Sequence, residues 1–318
     1  MSIRTVGVVG TGVIGASWTG LFLAHGLQVL VSDPAPDAEQ KLAGYLKSIW
    51  PTLERLGLQP TASLSNYRFV GSSLDGHYDE VDFIQENAPE QTELKTKLLG
   101  EIDAATRPEV VIASSSSGIP SSQFIGKCSK APGRIVIGHP FNPPHLMPLV
   151  EVVPHPDTAS ASVESAVAFY QSLGRKTVII RKEVPGFAAN RLQVALCNEA
   201  YSLVSRGILS AEDLDTCMTS SLGPRWAVVG PFMSNALGGG GGIEGFKHLL
   251  EHIGSSSRKW VEDMKANAFI PNEQNLNRLV ASVDDELKTK DVESLELERD
   301  RLLVELFRLK SELASKSS

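Results

Sequence analysis

The sequence predicts an α/β fold: a Rossmann-like, doubly wound, mostly parallel sheet followed by an all-α C-terminal domain. Two observations carry that prediction. From the start to about Ile180, short β-branched runs alternate with helical stretches, and after "RKEVPGF" the β pattern stops and amphipathic segments take over. The candidate strands are, in order, "TVGVV", "QVLVS", "VDFIQ", "EVVIA", "RIVIG", "LVEVV" and "KTVII". Several of the intervening segments are long enough for crossover helices, the connection that parallel neighbours need. The expected domains are residues 1–184 and 185–318.

In the second domain, Ala188 to Arg206, Ala211 to Ser220, Ile243 to Glu251 and about Leu295 to Leu313 read as helices. The last places Leu302, Leu306, Leu309 and Leu313 on one apolar stripe, which either packs onto its own domain or forms a subunit contact. The glycine run Gly238 to Gly242 reads as a flexible loop or as a mobile flap beside a ligand.

The chain has 318 residues, 42% hydrophobic and 21% charged, as soluble globular proteins do, with a net charge of -7. No basic cluster suggests nucleic acid or a membrane surface, so a small molecule is the expected partner. Cys128, Cys197 and Cys217 are widely spaced and form no C-x-x-C pair, which fits a reducing compartment and argues against a zinc site. The opening "MSIRTVGVVG" enters a strand at once, so a cytoplasmic location is expected.

The first strand leads into "GTGVIG", in which Gly10, Gly12 and Gly15 form G-x-G-x-x-G, with Val13 and Ile14 opening the helix that follows. The first glycine permits a tight turn, the second lets a pyrophosphate approach the backbone, and the third lets helix and strand pack closely. Asp33 ends the second strand, 18 positions after Gly15. Its carboxylate can accept ribose hydroxyls and would repel a 2′-phosphate, and no arginine follows in Pro34, Ala35 and Pro36. NAD is therefore the expected cofactor.

An alcohol losing hydride to nicotinamide needs a base, usually histidine, and a carboxylate on the far ring nitrogen fixes the tautomer. His139 ends the strand "RIVIG", and Glu151 stands in the next strand within an apolar run. Either the two form such a pair, or His139 is a satisfied strand-end histidine and Glu151 points to solvent.

These motifs, in this order, resemble the L-3-hydroxyacyl-CoA dehydrogenase superfamily over nearly the whole chain. "GHPFNPPHLMPLVEVV" is similar to the family's H-F-F-N-P segment followed by L-V-E-V. The resemblance implies His139 as general acid/base, Glu151 as its orienting carboxylate and Asn142 as an active-site amide. "EVPGFAANRL" implies Asn190 on the substrate oxygen or on His139. "IASSSSGIP" stands where S-N-T-S-S is usual, which implies Ser117, with Ser115 in place of asparagine. "QENAPEQTELK" is similar to E-x-x-P-E-x-x-x-K and implies Glu86 and Lys95 on the nicotinamide side.

Where acyl-CoA members read G-x-P-M-G-P, this chain has "SLGPRWAVVGPF", similar to the branch acting on free 3-hydroxy acids such as L-gulonate and L-carnitine. Arg225 offers a bidentate fork for a carboxylate, and Trp226 a face for a trimethylammonium group; a surface arginine capping a helix end is the other reading. The family likeness also implies a homodimer through the helical domain. Acyl-CoA oxidation and a non-catalytic, crystallin-like NAD-binding protein are the alternatives. His248 and His252 have i, i+4 spacing but no third ligand in sequence, so no metal is expected.

Overall fold

Eight strands form one sheet in the order β3-β2-β1-β4-β5-β6-β7-β8 in the computed structural model, which describes residues 3–238 and 240–316. They are β1 (Thr5–Val9), β2 (Gln28–Ser32), β3 (Tyr67–Phe69), β4 (Phe83–Glu86), β5 (Val111–Ser114), β6 (Ile135–Pro140), β7 (Leu149–Pro154) and β8 (Lys176–Ile179). All pairings are parallel except β6 with β7, which is antiparallel. The seven predicted strands are present. The eighth, β3, has three residues, too few to show a period of two.

Helices α1 (Val13–Ala24), α2 (Ala38–Leu56), α3 (Thr92–Ala105) and α4 (Ser160–Ser172) belong to the same part of the chain. The central strands are buried on both faces, which is why they read as near-continuous apolar runs. On one face Val6, Val8 and Val31 pack with Trp18, Phe22, Phe83, Phe169 and Tyr170; on the other, Ile84, Ile112 and Ile137 pack with Leu99 and Phe124. Trp18 and Phe22 stack at 5.4 Å.

The chain forms two compact units, Met1–Asn190 with Leu297–Ser318, and Arg191–Glu296. The remaining helices are α5 (Ala189–Ser205), α6 (Ala211–Cys217), α7 (Gly223–Gly238), α8 (Gly242–Ala266), α9 (Glu273–Leu287) and α10 (Val292–Lys316). Here the structure departs from the sequence expectation in four helices. The second helix ends at Cys217 and passes through a π-helical turn, Met218–Leu222, into α7, which is kinked at Gly230. Helix α8 runs on to Ala266 through Gly254 and the serines after it, residues that read as a break. Helices α7 and α9 are not among the expected helices; Arg225 and Trp226, expected at a turn, lie on α7, and Asn272 caps α9 by accepting from Asn275 N.

Of the glycine run, Gly239 lies outside the described residues, and Gly240, Gly241 and Gly242 have φ of 102°, 87° and 68°. Successive left-handed residues separate α7 from α8. Among the described residues of Arg191–Glu296 no hydrophobic side chain is buried, and Phe232 is 79% and Trp260 62% exposed. No helix among the described residues is long and apolar enough to cross a membrane.

Candidate active site

The turn from β1 to α1 is built by its glycines. Gly10 has φ of 90°, and a Cβ there would lie 2.9 Å from the Asn87 carbonyl oxygen. A Cβ on Gly15 would lie 1.9 Å from the Gly10 carbonyl oxygen, whereas one on Gly12 would meet nothing within 4 Å. Gly12 thus keeps open a space that the protein itself does not fill. Gly12 is also the N-cap of α1 and supplies no side-chain acceptor, so the positive end of the helix faces that space, with Val13 exposed at its start and Ile14 packed on the core.

Asp33 follows β2. One of its oxygens accepts from Thr11 N at 2.6 Å and Thr11 Oγ1 at 2.7 Å, and the other from Ala35 N at 2.8 Å. Burial pushes the Asp33 carboxyl up, but these donors and the nearby Lys41 outweigh it and hold it below the usual range. Gly10, Gly12, Asp33, Pro34, Ser72 and Pro89 are among the residues lining a cavity of about 650 Å³. A glycine-lined cavity, a helix N-terminus and an ionised acceptor fit a dinucleotide with a free ribose edge.

Glu86 and Lys95, expected on the nicotinamide side, are 0% and 1% exposed and are paired with each other at 2.9 Å. Lys95 also donates to the Ala88 carbonyl, while Glu86 accepts from Ser114 Oγ and Ala88 N. Sequence reasoning passed over Glu90, which does more to shape the site. One of its oxygens accepts from Ser116 Oγ at 2.7 Å, from Ser117 N and Gly118 N at 3.0 Å each, and from Ile119 N at 3.3 Å. Its other oxygen lies 3.8 Å from Lys95. Burial raises the Glu90 carboxyl, and these donors together with Lys95 bring it below its ordinary value. The sequence signal for Glu90 was available as the second glutamate of E-x-x-P-E.

The four serines separate by environment. Ser114 and Ser116 are buried and engaged, and Ser115 receives Trp18 Nε1 and Gln85 Nε2 while donating to Asn87 Oδ1. Ser117 alone of the four is exposed. The carbonyl of Ser117 accepts from Asn190 Nδ2 at 2.7 Å, so two of the expected site residues meet directly.

His139 and Glu151 face each other across the antiparallel β6–β7 pair and are in register. Both are nearly buried, and His139 Nδ1 lies 2.9 Å from Glu151 Oε2. Because an ionised carboxylate only accepts, Nδ1 carries a proton, and in the neutral tautomer that this selects, the lone pair is on Nε2. The second Glu151 oxygen accepts from Ala188 N and Ala189 N, each at 3.0 Å, at the start of α5. Burial raises the Glu151 carboxyl, and His139 with these two amides brings it below its ordinary value. Phe141 and Phe187 flank the imidazole at 5.1 and 5.6 Å. Asn142 is exposed on the loop after β6. That loop is anchored by His145, whose N and Nδ1 both bond Ser17 Oγ.

Residues 5–184 match the model of the 3-hydroxyacyl-CoA dehydrogenase NAD binding domain, and residues 186–271 match that of the C-terminal domain. The chain belongs to the 3-hydroxyacyl-CoA dehydrogenase family. It is an NAD-dependent dehydrogenase. A protein of Gibberella moniliformis named 3-hydroxyacyl-CoA dehydrogenase is 50% identical over 99% of this chain and 98% of its own length. An L-carnitine dehydrogenase of Streptomyces coelicolor is 43% identical over 96% of this chain and 95% of its own. Among solved structures, an NAD+-dependent 5-formyl-3-hydroxy-2-methylpyridine 4-carboxylic acid 5-dehydrogenase superposes with a TM-score of 0.74. It is 28% identical, over 97% of this chain and 98% of its own.

In this member of the 3-hydroxyacyl-CoA dehydrogenase family, Arg225 and Trp226 lie on α7 in the second unit, and both are exposed. Arg225 Nε donates to the Ser221 carbonyl, one turn back, at 3.4 Å. Arg225, Val228, Val229, Ser234 and Leu237 line a cavity of about 510 Å³ within that unit. His248 and His252 lie one turn apart on α8, rings 5.7 Å apart, and no group of three or more candidate metal ligands occurs among the described residues.

Proposed function

We propose that this dehydrogenase oxidises the C3 hydroxyl of a free L-3-hydroxy acid, L-carnitine-like or L-gulonate-like, to the 3-oxo acid. The observation that carries the free-acid reading is Arg225, a guanidinium in a cavity otherwise lined mainly by apolar side chains. A thioester offers no charge to such a group, and a free acid does. The several relatives named L-carnitine dehydrogenase, 37–43% identical, support the same reading.

Bound NAD supplies the hydride acceptor. His139 Nε2 takes the hydroxyl proton, and Glu151 stabilises the imidazolium that results. Ser117, Asn142 and Asn190 hold the reacting oxygen and the nicotinamide side, where Glu86 and Lys95 support the wall. Asp33 accepts the adenosine ribose hydroxyls, Arg225 binds the carboxylate, and Trp226 lies against the remainder of the acid. A cytoplasmic homodimer belongs to the same proposal. The dimer is supported by the many large apolar side chains that the second unit leaves exposed, Phe232 and Trp260 among them.

The second reading is 3-hydroxyacyl-CoA oxidation, favoured by the name of the 50% identical fungal relative. NAD reduction measured with L-carnitine, L-gulonate, 3-hydroxybutyrate and a 3-hydroxyacyl-CoA under identical conditions separates the two. The free-acid reading expects the highest kcat/KM with one of the acids, and a clear preference for the thioester would sink it. NADH binding with no turnover of any of the four would instead favour a non-catalytic protein.

A further inference from the structure

Asp33 stands at the end of β2, beside a cavity also lined by Gly10, Gly12, Pro34 and Ala35. A strand-end carboxylate with no partner rotates freely. This one does not, because Oδ2 takes both donors of a single residue, the Thr11 amide at 2.6 Å and the Thr11 hydroxyl at 2.7 Å, while Oδ1 takes the Ala35 amide at 2.8 Å. Three donors shared over two oxygens fix both the position and the charge of the group. Thr11 lies between the first two glycines of the turn, so the residue that holds Asp33 is itself part of the phosphate-facing loop.

We propose that Thr11 is a positioning residue for cofactor choice, its hydroxyl holding the Asp33 carboxylate where it accepts an adenosine 2′-hydroxyl and repels a 2′-phosphate. The inference rests on the assignment of Asp33 to the ribose made above. Without the hydroxyl, Oδ2 keeps only the backbone amide, and the carboxylate gains freedom to turn from an approaching phosphate. The repulsion falls, and so does the quality of the bond to a ribose hydroxyl.

The test is binding of NADH and of NADPH to the full chain, followed by nicotinamide fluorescence, for the parent protein and for Thr11→Val, Thr11→Ser and Asp33→Asn. Valine keeps the shape and the amide but removes the hydroxyl. Thr11→Val should narrow the ratio of the NADPH Kd to the NADH Kd by about fivefold, ~1 kcal/mol, and Thr11→Ser should leave the ratio at its parent value. An unchanged ratio in Thr11→Val, including a case in which both affinities fall together, overturns the proposal. So does a Thr11→Ser ratio that moves as far as the valine one. Asp33→Asn separates the two assignments. If it leaves the ratio unchanged, the ribose role of Asp33 has failed; if it narrows the ratio while Thr11→Val does not, only the role of Thr11 has.

Discussion

Glu151 bonds His139 Nδ1 with one carboxylate oxygen and the amides that lead into α5, Ala188 N and Ala189 N, with the other. Every partner of this side chain is therefore a donor, and only an acceptor at both ends satisfies them. Glutamine at position 151 has one acceptor and one donor end, so either orientation sets N–H against N–H. With its amide nitrogen toward His139, Nδ1 must become the acceptor and the proton moves to Nε2, where it blocks the base. Glu151→Gln should lower kcat at least about a hundredfold, and His139→Gln by roughly two to four orders of magnitude. Steady-state kinetics with the best acid of the substrate panel checks both. Turnover near the parent value in His139→Gln would remove it from the mechanism.

Gly12 and Gly15 make opposite demands, and alanine at each tests them separately. At Gly15 the new methyl would sit 1.9 Å from the Gly10 carbonyl oxygen, so the turn itself must shift. At Gly12 it would meet nothing within 4 Å and would occupy only the space a pyrophosphate needs. Gly12→Ala should leave the melting temperature within a degree or two and weaken NADH binding about tenfold or more, whereas Gly15→Ala should lower both. A Gly12→Ala variant with parental NADH affinity would show that the cofactor does not approach the backbone there.

The sequence made the architecture and the main pair legible because those features leave a mark along the chain. Seven strands announced themselves as β-branched runs, and His139 and Glu151 stood out as polar residues in apolar segments. Their direct opposition required the β6–β7 register, which no local pattern specifies. Glu90 was marked only as the second glutamate of E-x-x-P-E and Thr11 not at all, because what they bind is backbone amides and a carboxylate brought close only by the fold. Glu86 and Lys95 were recognised by resemblance, but their mutual burial was not, since the partner of a charge is a property of packing. In the helical unit, α7 and α9 were missed and α8 was cut short where glycine and serine interrupt an otherwise helical pattern.

Lys95 and Glu86 form an ion pair at 2.9 Å with 1% and 0% of their side chains exposed. Removing one partner strands the other charge out of water, which costs about 3–5 kcal/mol. Lys95→Met should therefore destabilise the protein by that amount in urea unfolding, and Lys95→Met combined with Glu86→Gln should recover part of the loss. A Lys95→Met variant as stable as the parent but weak in NADH binding would reverse the assignment, making the lysine a ligand rather than a structural counter-charge.

His145 shapes the acid side of the stability profile together with His25, which burial and Arg175 also hold below the ordinary histidine value. Burial pushes the His145 pKa from 6.5 down to about 4, with Asp300 pulling upward and Arg175 adding to the depression. The ring is neutral in the fold. Ser17 Oγ accepts the His145 backbone N–H and lies 2.8 Å from Nδ1, a clasp that holds the ring in its buried place. Between pH 6.5 and 4 the unfolded chain binds this proton and the folded one does not, so stability falls as pH is lowered through that window, by about 3 kcal/mol in all. Glu151, Glu90 and Asp33 are held below their ordinary values, so their contributions are complete above about pH 4.5 and are lost only as pH falls further. The two windows are separable. His145→Asn, whose side-chain amide reaches the position of Nδ1, should reduce the dependence of the urea midpoint on pH between 6.5 and 4.5 to the share of His25, and leave the loss below 4.5 in place. Parallel curves for the variant and the parent across the upper window would mean that His145 titrates as a solvated histidine, and the buried clasp with Ser17 would have to be abandoned.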